Sequence, residues 1–401
     1  MPATQYLDAL HFPAVGIETP TLDAVADAGT PTSRRPRGTS PRHPSNKKRG
    51  GDQVTASFDV WAVACSHVHS DLKHGRRSLG EPIEQSEFGG AEGGPPFDWD
   101  IMLHLGDISG TQTPPRDEDG PPVLAQFAAM RKHRREQAYC LLGNHDASGP
   151  GEETQWWFKK WIDPLGENPA VSGVHAARRP FPVEGDWERY RFLAGNVLFL
   201  MLGDRNDGGP PKGRGSDGGY PAGAITRASF DWWRSEVEAN QDKIIVTCAH
   251  HVLRDTTTAS GRMEGVAGGY HSRFEDEAGA SYLYWVGDDT DSNLFHDYFE
   301  AHPHAIDMWL AGHTHTHPDD RYGGKGMIER RWDVTFANVS ALTRHHGRKS
   351  RPHWPMSRLI TFTEGSAEAR IRCYLHTSDY APQGWYAPVE TAIALRHAFK
   401  R

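Results

Sequence analysis

Short apolar runs recur along the chain from residue 58 onward, and each of them ends in a cluster of polar residues. Apolar residues on both faces of a short segment are typical of a strand that is buried in a sheet. We therefore predict six buried strands, at residues 58–65, 99–105, 137–142, 196–202, 243–249 and 305–311.

Helical patterns lie between several of these runs, at residues 121–136, 227–240 and 291–302. Strands that alternate with helices predict an α/β sandwich. Near the C-terminus, residues 356–376 predict a hairpin with its turn at Glu364–Gly365–Ser366, and residues 387–400 predict a short helix whose basic end suits the helix dipole.

The chain divides into an N-terminal extension and one folded domain. Residues 30–52 are rich in Pro, Ser, Gly, Arg and Lys and almost free of apolar side chains, so they cannot bury enough surface to offset the entropy of ordering them. We predict that residues 1–54 are poorly ordered or draped over the domain, and that residues 55–401 form a single domain. Long insertions separate its core strands, at residues 147–190, 204–224 and 255–290.

Composition and charge argue against several classes of protein. The net charge of the 401 residues is −8, whereas general nucleic-acid and membrane-surface binders are usually basic. No run reaches the roughly 18 apolar residues of a membrane span, and the N-terminal residues lack the pattern of a signal peptide. The four cysteines (65, 140, 248 and 373) form no CxxC pair, which predicts neither a disulfide framework nor a thiolate zinc site. We therefore expect a cytoplasmic protein.

The polar clusters carry the candidate chemistry, because ligands bind beyond the carboxyl ends of the strands in open α/β sheets. Taken singly, each cluster has a structural explanation, such as a helix cap or a core histidine. Together, imidazoles and carboxylates at successive strand ends predict a site for zinc, iron or manganese rather than calcium. The clusters contain His67 and His69, Asp107, Gly143–Asn144–His145–Asp146, His250 and His251, and His313 and His315.

The order of these clusters resembles the calcineurin-like metallophosphoesterase superfamily. The chain has HVH, GD, GNHD, HH and GHTH within residues 58–317, and the family pattern is DxH, GD, GNH(D/E), H and GHxH. The resemblance implies a metallophosphoesterase-type β-sandwich of two or four layers, flanked by helices. It also implies two divalent transition-metal ions (Mn, Fe or Zn) at the strand ends.

Two sets of metal ligands follow from the resemblance, and they share Asp107 as a bridging carboxylate. The first metal would be held by His67, His69, Asp107 and His315. The second metal would be held by Asp107, Asn144, His250 and His313. A hydroxide activated by the metals would attack phosphorus, and His145 would protonate the leaving oxygen, with Asp146 orienting its ring.

The first motif departs from the family pattern, because His67 stands where the family has Asp. A neutral ligand in place of an anion leaves the centre more positive, so we expect weaker binding of the first metal or a preference for zinc or ferrous iron. Asp71 is a candidate substitute ligand. His317 precedes Pro318, which favours an extended chain that leaves the site, so we expect it to contact ligands or substrate without binding metal.

The sequence also fits two other functions. The segment HVHSD also resembles the first strand end of barrel-type metallohydrolases of the polymerase-and-histidinol-phosphatase or amidohydrolase kind, and a non-catalytic binding scaffold could keep the same fold. Insertions near the site favour a small-molecule phosphate ester, preferably a diester, over a nucleic-acid polymer. The tryptophans of the first insertion (156, 157, 161 and 187) are expected to form a hydrophobic cluster, with stacking on a base or sugar as the alternative.

Overall fold

The computed structural model describes residues 56–111, 113–149, 152–204, 224–261, 284–286, 293–344, 354–376 and 383–401. The predicted extension, residues 1–54, lies outside this part of the chain, as do nearly all of insertion 204–224 and most of insertion 255–290. The predicted domain organisation therefore stays a prediction.

The strands of the described residues form two seven-stranded sheets and one small two-stranded sheet. In chain order they are β1 Ser57–Val63, β2 Ile101–Leu105, β3 Ala138–Leu141, β4 Glu184–Gly185, β5 Arg189–Ala194, β6 Val197–Leu202, β7 Ala224–Thr226, β8 Ile244–Ala249, β9 Tyr284–Val286, β10 Met308–Ala311, β11 Ile328–Arg331, β12 Val334–Asn338, β13 Met356–Thr363, β14 Glu368–Leu375, β15 Gly384–Trp385 and β16 Thr391–Ala394.

Each large sheet combines parallel and antiparallel strands: in the first sheet the parallel strands extend to one edge, and in the second they lie between antiparallel strands. The first sheet has the order β15-β14-β13-β1-β2-β3, with β16 also paired to β14, and β1, β2 and β3 are parallel. The second has the order β11-β12-β10-β8-β6-β5-β4, and β6, β8, β10 and β12 are parallel. Open sheets of mixed direction exclude the barrel-type alternative for the described residues.

The main core lies between the two large sheets. In β1, Val60 and Ala62 face this core, while Trp61 and Val63 face the opposite side of the sheet. Strand β6 of the second sheet alternates in the same way, and the rings of Phe58 and Phe199 lie 6.3 Å apart across the core. The runs are apolar at every position because both faces of each central strand are buried.

Helices cover the outer faces, which gives the sandwich four layers. Ile83 and Val123, from the helices over the first sheet, pack on its outer face. Trp233 and Phe295 do the same on the second sheet. The α-helices are α1 Val68–Leu72, α2 Gly80–Phe88, α3 Gly120–Phe127, α4 Pro169–Ser172, α5 Arg227–Ala239 and α6 Asn293–Ala301. The predicted α/β sandwich flanked by helices is confirmed.

All six predicted core strands are present, and the structure divides them between the two sheets: β1, β2 and β3 lie in one sheet and β6, β8 and β10 in the other. The predicted C-terminal hairpin is confirmed as β13 and β14. Helices α5 and α6 confirm two of the three helical patterns.

The helix predicted for residues 121–136 is wrong in its second half, because α3 ends at Phe127. The backbone N–H groups of Arg131 and His133 donate to the Glu87 carboxylate at 2.8 and 3.1 Å instead of continuing the helix. The His133 ring also stacks on Trp99 with 3.5 Å between the ring centroids. A tertiary contact thus overrides the local helical pattern.

The helix predicted for residues 387–400 is wrong. A single 3₁₀ turn is followed by β16, which pairs with β14. Beyond β16, the N–H of Arg396 donates to Asp307 at 2.6 Å, so this segment also uses its polar groups for tertiary contacts. The free edge of β14 supplies backbone hydrogen-bond partners for an extended segment. The sequence of residues 387–400 gives no sign that such an edge lies nearby, so the strand could not be predicted from it.

The tryptophans of insertion 147–190 support the hydrophobic-cluster interpretation. Trp157 is fully buried in the core on the outer face of the first sheet, and Trp156 and Trp161 pack against it. Trp187 is half-buried. None of the helices in the described ranges is long and apolar enough to cross a membrane.

Candidate metal centre

The polar residues that follow six of the parallel strands come together where the two sheets meet. The loops after β1, β2 and β3 carry Cys65 and His67, Asp107, and Asn144 and His145. The loops after β6, β8 and β10 carry Asp204, His250 and His251, and His313 and His315.

Backbone hydrogen bonds fix these loops to one another. The N–H of Cys65 donates to Gly106 O at 2.9 Å, which joins the loops after β1 and β2. The N–H of Asp204 donates to Leu142 O at 2.9 Å, which joins the two sheets. The polar side chains therefore start from a backbone that is held in place, as a preorganised site requires.

Asp107 lies between two groups of histidines. Its Oδ2 is 3.3 Å from His67 Nε2 and 3.1 Å from His250 Nε2. Its Oδ1 accepts a hydrogen bond from the N–H of His145 at 2.8 Å. This carboxylate is 1 % exposed, so its charge acts on both neighbouring groups with little screening by water.

The first group consists of Cys65, His67 and His315. One potential ligand atom from each residue lies within 4.8 Å of the other two. Cys65 and His67 are fully buried and His315 is half-buried. The ring centroids of His67 and His315 are 5.0 Å apart. Sulfur and two imidazole nitrogens are a donor set suited to zinc or iron.

The second group consists of His250, His251 and His313, again with ligand atoms within 4.8 Å of one another. The Nδ1 of His250 is 2.6 Å from Leu105 O, and the Nδ1 of His251 is 2.7 Å from Asp204 Oδ2. The hydrogen bond of its Nδ1 with Leu105 O leaves Nε2 of His250 as the donor atom for a metal, which is the usual arrangement in metal sites.

His145 lies beside the first group without belonging to it. Its ring centroid is 5.1 Å from that of His67, and its Nδ1 is 2.5 Å from the carbonyl oxygen of Thr111. The adjacent Asn144 is 2 % exposed. The loop after β3 therefore places an imidazole at the edge of the cluster.

Asp146 is placed differently from what we expected. Its carboxylate accepts hydrogen bonds from the backbone N–H groups of Ile108, Ser109 and Gly143, at 2.8 to 3.2 Å. These bonds hold the loops after β2 and β3 together. The contact that orients the His145 ring is made by the carbonyl of Thr111 instead.

The backbone of the site is strained. Cys65, His67, Asp107 and His313 all have positive φ angles, between 45° and 63°. This conformation costs a residue other than glycine about 1–3 kcal/mol, and such residues cluster at functional sites. Gly106 has φ +85°, and a Cβ there would lie 2.6 Å from the Cα of Gly143, so this position requires glycine.

The charges of the site are strongly coupled. Burial by itself raises the pKa of Asp107, but His250 and His145 hold it well below its usual range. Burial lowers the pKa of His250, but Asp107 outweighs this effect and raises the pKa to about 9. Burial and the charge of Asp107 raise the pKa of the Cys65 thiol well above its usual range. A cation bound here would replace protons on these groups.

Three further residues considered in the sequence analysis, namely His69, Asp71 and His317, belong to neither group and contact other parts of the protein. His69 is in α1, a third exposed, with its Nδ1 2.5 Å from Asp119 Oδ1. Asp71 accepts hydrogen bonds from Thr343 and from the backbone of Arg344, so it has a structural role. His317 packs against Trp354 with 3.9 Å between ring centroids.

The structure places the residues of the first motif differently from the predicted ligand pair. It brings Cys65 and His67 to the cluster, rather than His67 and His69. The chain turns through two left-handed residues after β1, and α1 then carries His69 away toward Asp119. Cys65 and His67 have the spacing of the Asp-x-His pattern, with Cys65 where that pattern has Asp.

Sequence reasoning also missed His251 and Asp204. His251 was noted beside His250 without a role, and Asp204 follows β6 in a Gly–Asp pair like that of Asp107. The similarity of the two Gly–Asp pairs after apolar runs was the available signal. For Cys65 the signal was the spacing Cys-x-His, which overlaps the pair His67 and His69.

The donor set fits divalent transition metals. The two groups and Asp107 combine imidazole, carboxylate and thiol donors, nearly all of them buried. The Nε2 of His251 has no hydrogen-bond partner among the residues that the structure describes. Burying polar atoms without hydrogen-bond partners is costly. Buried imidazoles that converge on one carboxylate are therefore better explained as metal ligands than as ordinary core residues.

A family model described as calcineurin-like phosphoesterase matches residues 58–317. Two solved structures align with the chain: vacuolar protein sorting 29 from Cryptosporidium parvum (9 % identity, TM-score 0.31, covering 84 % of this chain and 98 % of that one) and Vps29 from Chaetomium thermophilum (8 %, 0.29, 86 % and 100 %). No curated protein matches the chain significantly.

Proposed function

Because the chain belongs to the calcineurin-like phosphoesterase family, we propose that it hydrolyses small-molecule phosphate esters at a two-metal centre and prefers diesters to monoesters. The observation that carries the proposal is the position of Asp107, whose Oδ2 is within 3.3 Å of a histidine from each group. A buried carboxylate between two sets of donors is what a pair of cations requires.

Asp107 is the ligand that both metals share in this proposal. His67 and His315 would be ligands on one side, and His250 and His313 on the other. The family pattern adds Asn144 on the second side. Divalent cations held there would supply positive charge for binding the phosphate and for activating a water nucleophile.

His145 is the candidate general acid. Its Nδ1 is held by the carbonyl of Thr111, so the proton for the leaving oxygen would come from Nε2. Asp146 acts on this residue through the backbone, because it holds the loop from which His145 projects. A positioned general acid contributes about 10²–10⁴-fold in rate.

The burial of the site supports a small substrate. His250 and His313 are at most 1 % exposed, whereas a polymeric nucleic acid needs an open groove. A cytoplasmic location is part of the proposal, and it is supported by four cysteines that are all free and buried.

The test is turnover of matched aryl esters by protein purified without chelator. We expect hydrolysis of an aryl phosphodiester to exceed that of the corresponding monoester, to disappear after chelation and to return when Mn²⁺, Fe²⁺ or Zn²⁺ is restored. His317→Ala, which changes a residue outside both groups, is the control. If metal binds but no ester of the panel is hydrolysed, the non-catalytic scaffold is the better account.

A further inference from the structure

Cys65 lies closer to the candidate metal centre than its place in the sequence suggests. Its Sγ belongs to two groups of potential ligand atoms, one with His67 and His315 and one with Asp107 and His250. Within each group the atoms lie within 4.8 Å of one another. The sulfur is therefore near both imidazoles of the first group and near the carboxylate between the groups.

The other cysteines occupy ordinary core positions. Cys140, Cys248 and Cys373 lie within strands β3, β8 and β14, where regular backbone directs them into apolar clusters. Cys65 follows β1 with φ 48°, a conformation that favours glycine. Hydrogen bonds from its N–H to Gly106 O and from Thr343 N–H to its carbonyl, both 2.9 Å long, hold that conformation.

We propose that Cys65 is a metal ligand, bound as the thiolate, and that it makes the position shared with His67 and His315 selective for zinc or ferrous iron over manganese. This inference rests on the proposed metal centre. The Sγ–H proton is released to solvent as the sulfur–metal bond forms, which is the usual course of thiolate ligation. The thiolate supplies the negative charge that the first residue of an Asp-x-His motif supplies as a carboxylate.

The preference for zinc or iron follows from the softness of the ligand. Thiolates favour zinc and iron, whereas carboxylates and water favour manganese and magnesium. A centre with sulfur on one side and Asp107, Asn144 and imidazoles on the other has two chemically different positions. We therefore expect two bound metals to differ in affinity and in identity.

Cobalt substitution tests the thiolate directly. Wild-type protein loaded with Co²⁺ is expected to show a sulfur-to-cobalt charge-transfer band in the near ultraviolet. The control Cys373→Ser should keep this band, while Cys65→Ser and Cys65→Asp should lose it. In competition titrations, Cys65→Asp should also lower the preference for Zn²⁺ over Mn²⁺ by on the order of tenfold, the low end of the effect of changes around metal ligands.

X-ray absorption at the zinc edge of the wild-type protein makes the test independent of whether the variants fold. One sulfur scatterer at about 2.3 Å is expected, and only nitrogen and oxygen scatterers would overturn the inference. Bound Co²⁺ without the charge-transfer band would also overturn it, while leaving the proposed phosphoesterase intact. Failure of the wild-type protein to bind any metal would overturn the proposed centre, and this inference with it.

Discussion

Replacing His67 and His69 one at a time distinguishes the structural position of the first motif from the one that the sequence suggested. His67 is fully buried, with its Nε2 3.3 Å from Asp107 Oδ2, and it belongs to the first group of ligands. His69 is a third exposed and paired with Asp119. The two residues have the same side chain and lie two positions apart, so each serves as the control for the other.

The expected effects differ by two orders of magnitude. Loss of a metal ligand in His67→Ala should lower turnover at least about 100-fold, which corresponds to about 2.7 kcal/mol of transition-state stabilisation. The contact between His69 and Asp119 is partly exposed and contributes no more than about 1 kcal/mol to stability. His69→Ala should therefore keep its metal and should lose less than about half of its activity at a temperature where it is folded.

The assay combines the metal content of each variant, measured by mass spectrometry of the bound ions, with turnover of an aryl phosphodiester and a thermal melt. The melt separates loss of metal from loss of fold. The reasoning is refuted if His69→Ala loses metal and activity as His67→Ala does, because His69 would then be a ligand and Cys65 would have no place in the first motif.

Three further predictions follow from the geometry. His145→Ala should keep its metal content and slow esters with poor leaving groups about 10²–10⁴-fold, while good leaving groups change little; equal slowing across a leaving-group series would contradict the role of general acid. His315→Ala should lose metal, and its turnover should fall at least about 100-fold, whereas His317→Ala should keep both its metal and its rate. Loss of a metal by His317→Ala would place His317 among the ligands. In denaturant titrations, Gly106→Ala should lower the free energy of unfolding by at least about 2 kcal/mol, because φ is strained and the added Cβ is crowded. Gly75→Ala is the control, since Gly75 has φ +67° and nothing within 4 Å of an added Cβ. Its free energy of unfolding should fall clearly less.

The layers of the fold were predictable because the central strands are buried on both faces. Strands β1 and β6 alternate between two apolar environments, so their sequences are continuously apolar and easily recognised. Their division between two sheets was not predictable, because a buried strand carries no mark of its neighbours. The segments at 128–136 and 387–400 were predicted wrongly, since Glu87 and the free edge of β14 decide their conformation from a distance.

Most of the candidate site was predictable from polar residues at strand ends. Asp107, His250 and His313 come together in the structure much as their positions after β2, β8 and β10 suggested. The first motif was ambiguous, because Cys65, His67 and His69 form two overlapping pairs with the same spacing. Only the left-handed turn after β1 and the start of α1 at Val68 decide which pair lies at the cluster.

The measurement that tests the two-metal phosphoesterase most directly is the metal stoichiometry of Asp107→Ala, taken together with its turnover of an aryl phosphodiester. The wild-type protein should bind two divalent ions per chain, in keeping with a carboxylate that both metals share. Asp107→Ala should bind fewer and lose at least about 100-fold in rate, or about 2.7 kcal/mol. Two metals per chain and near-normal turnover in Asp107→Ala would contradict the account.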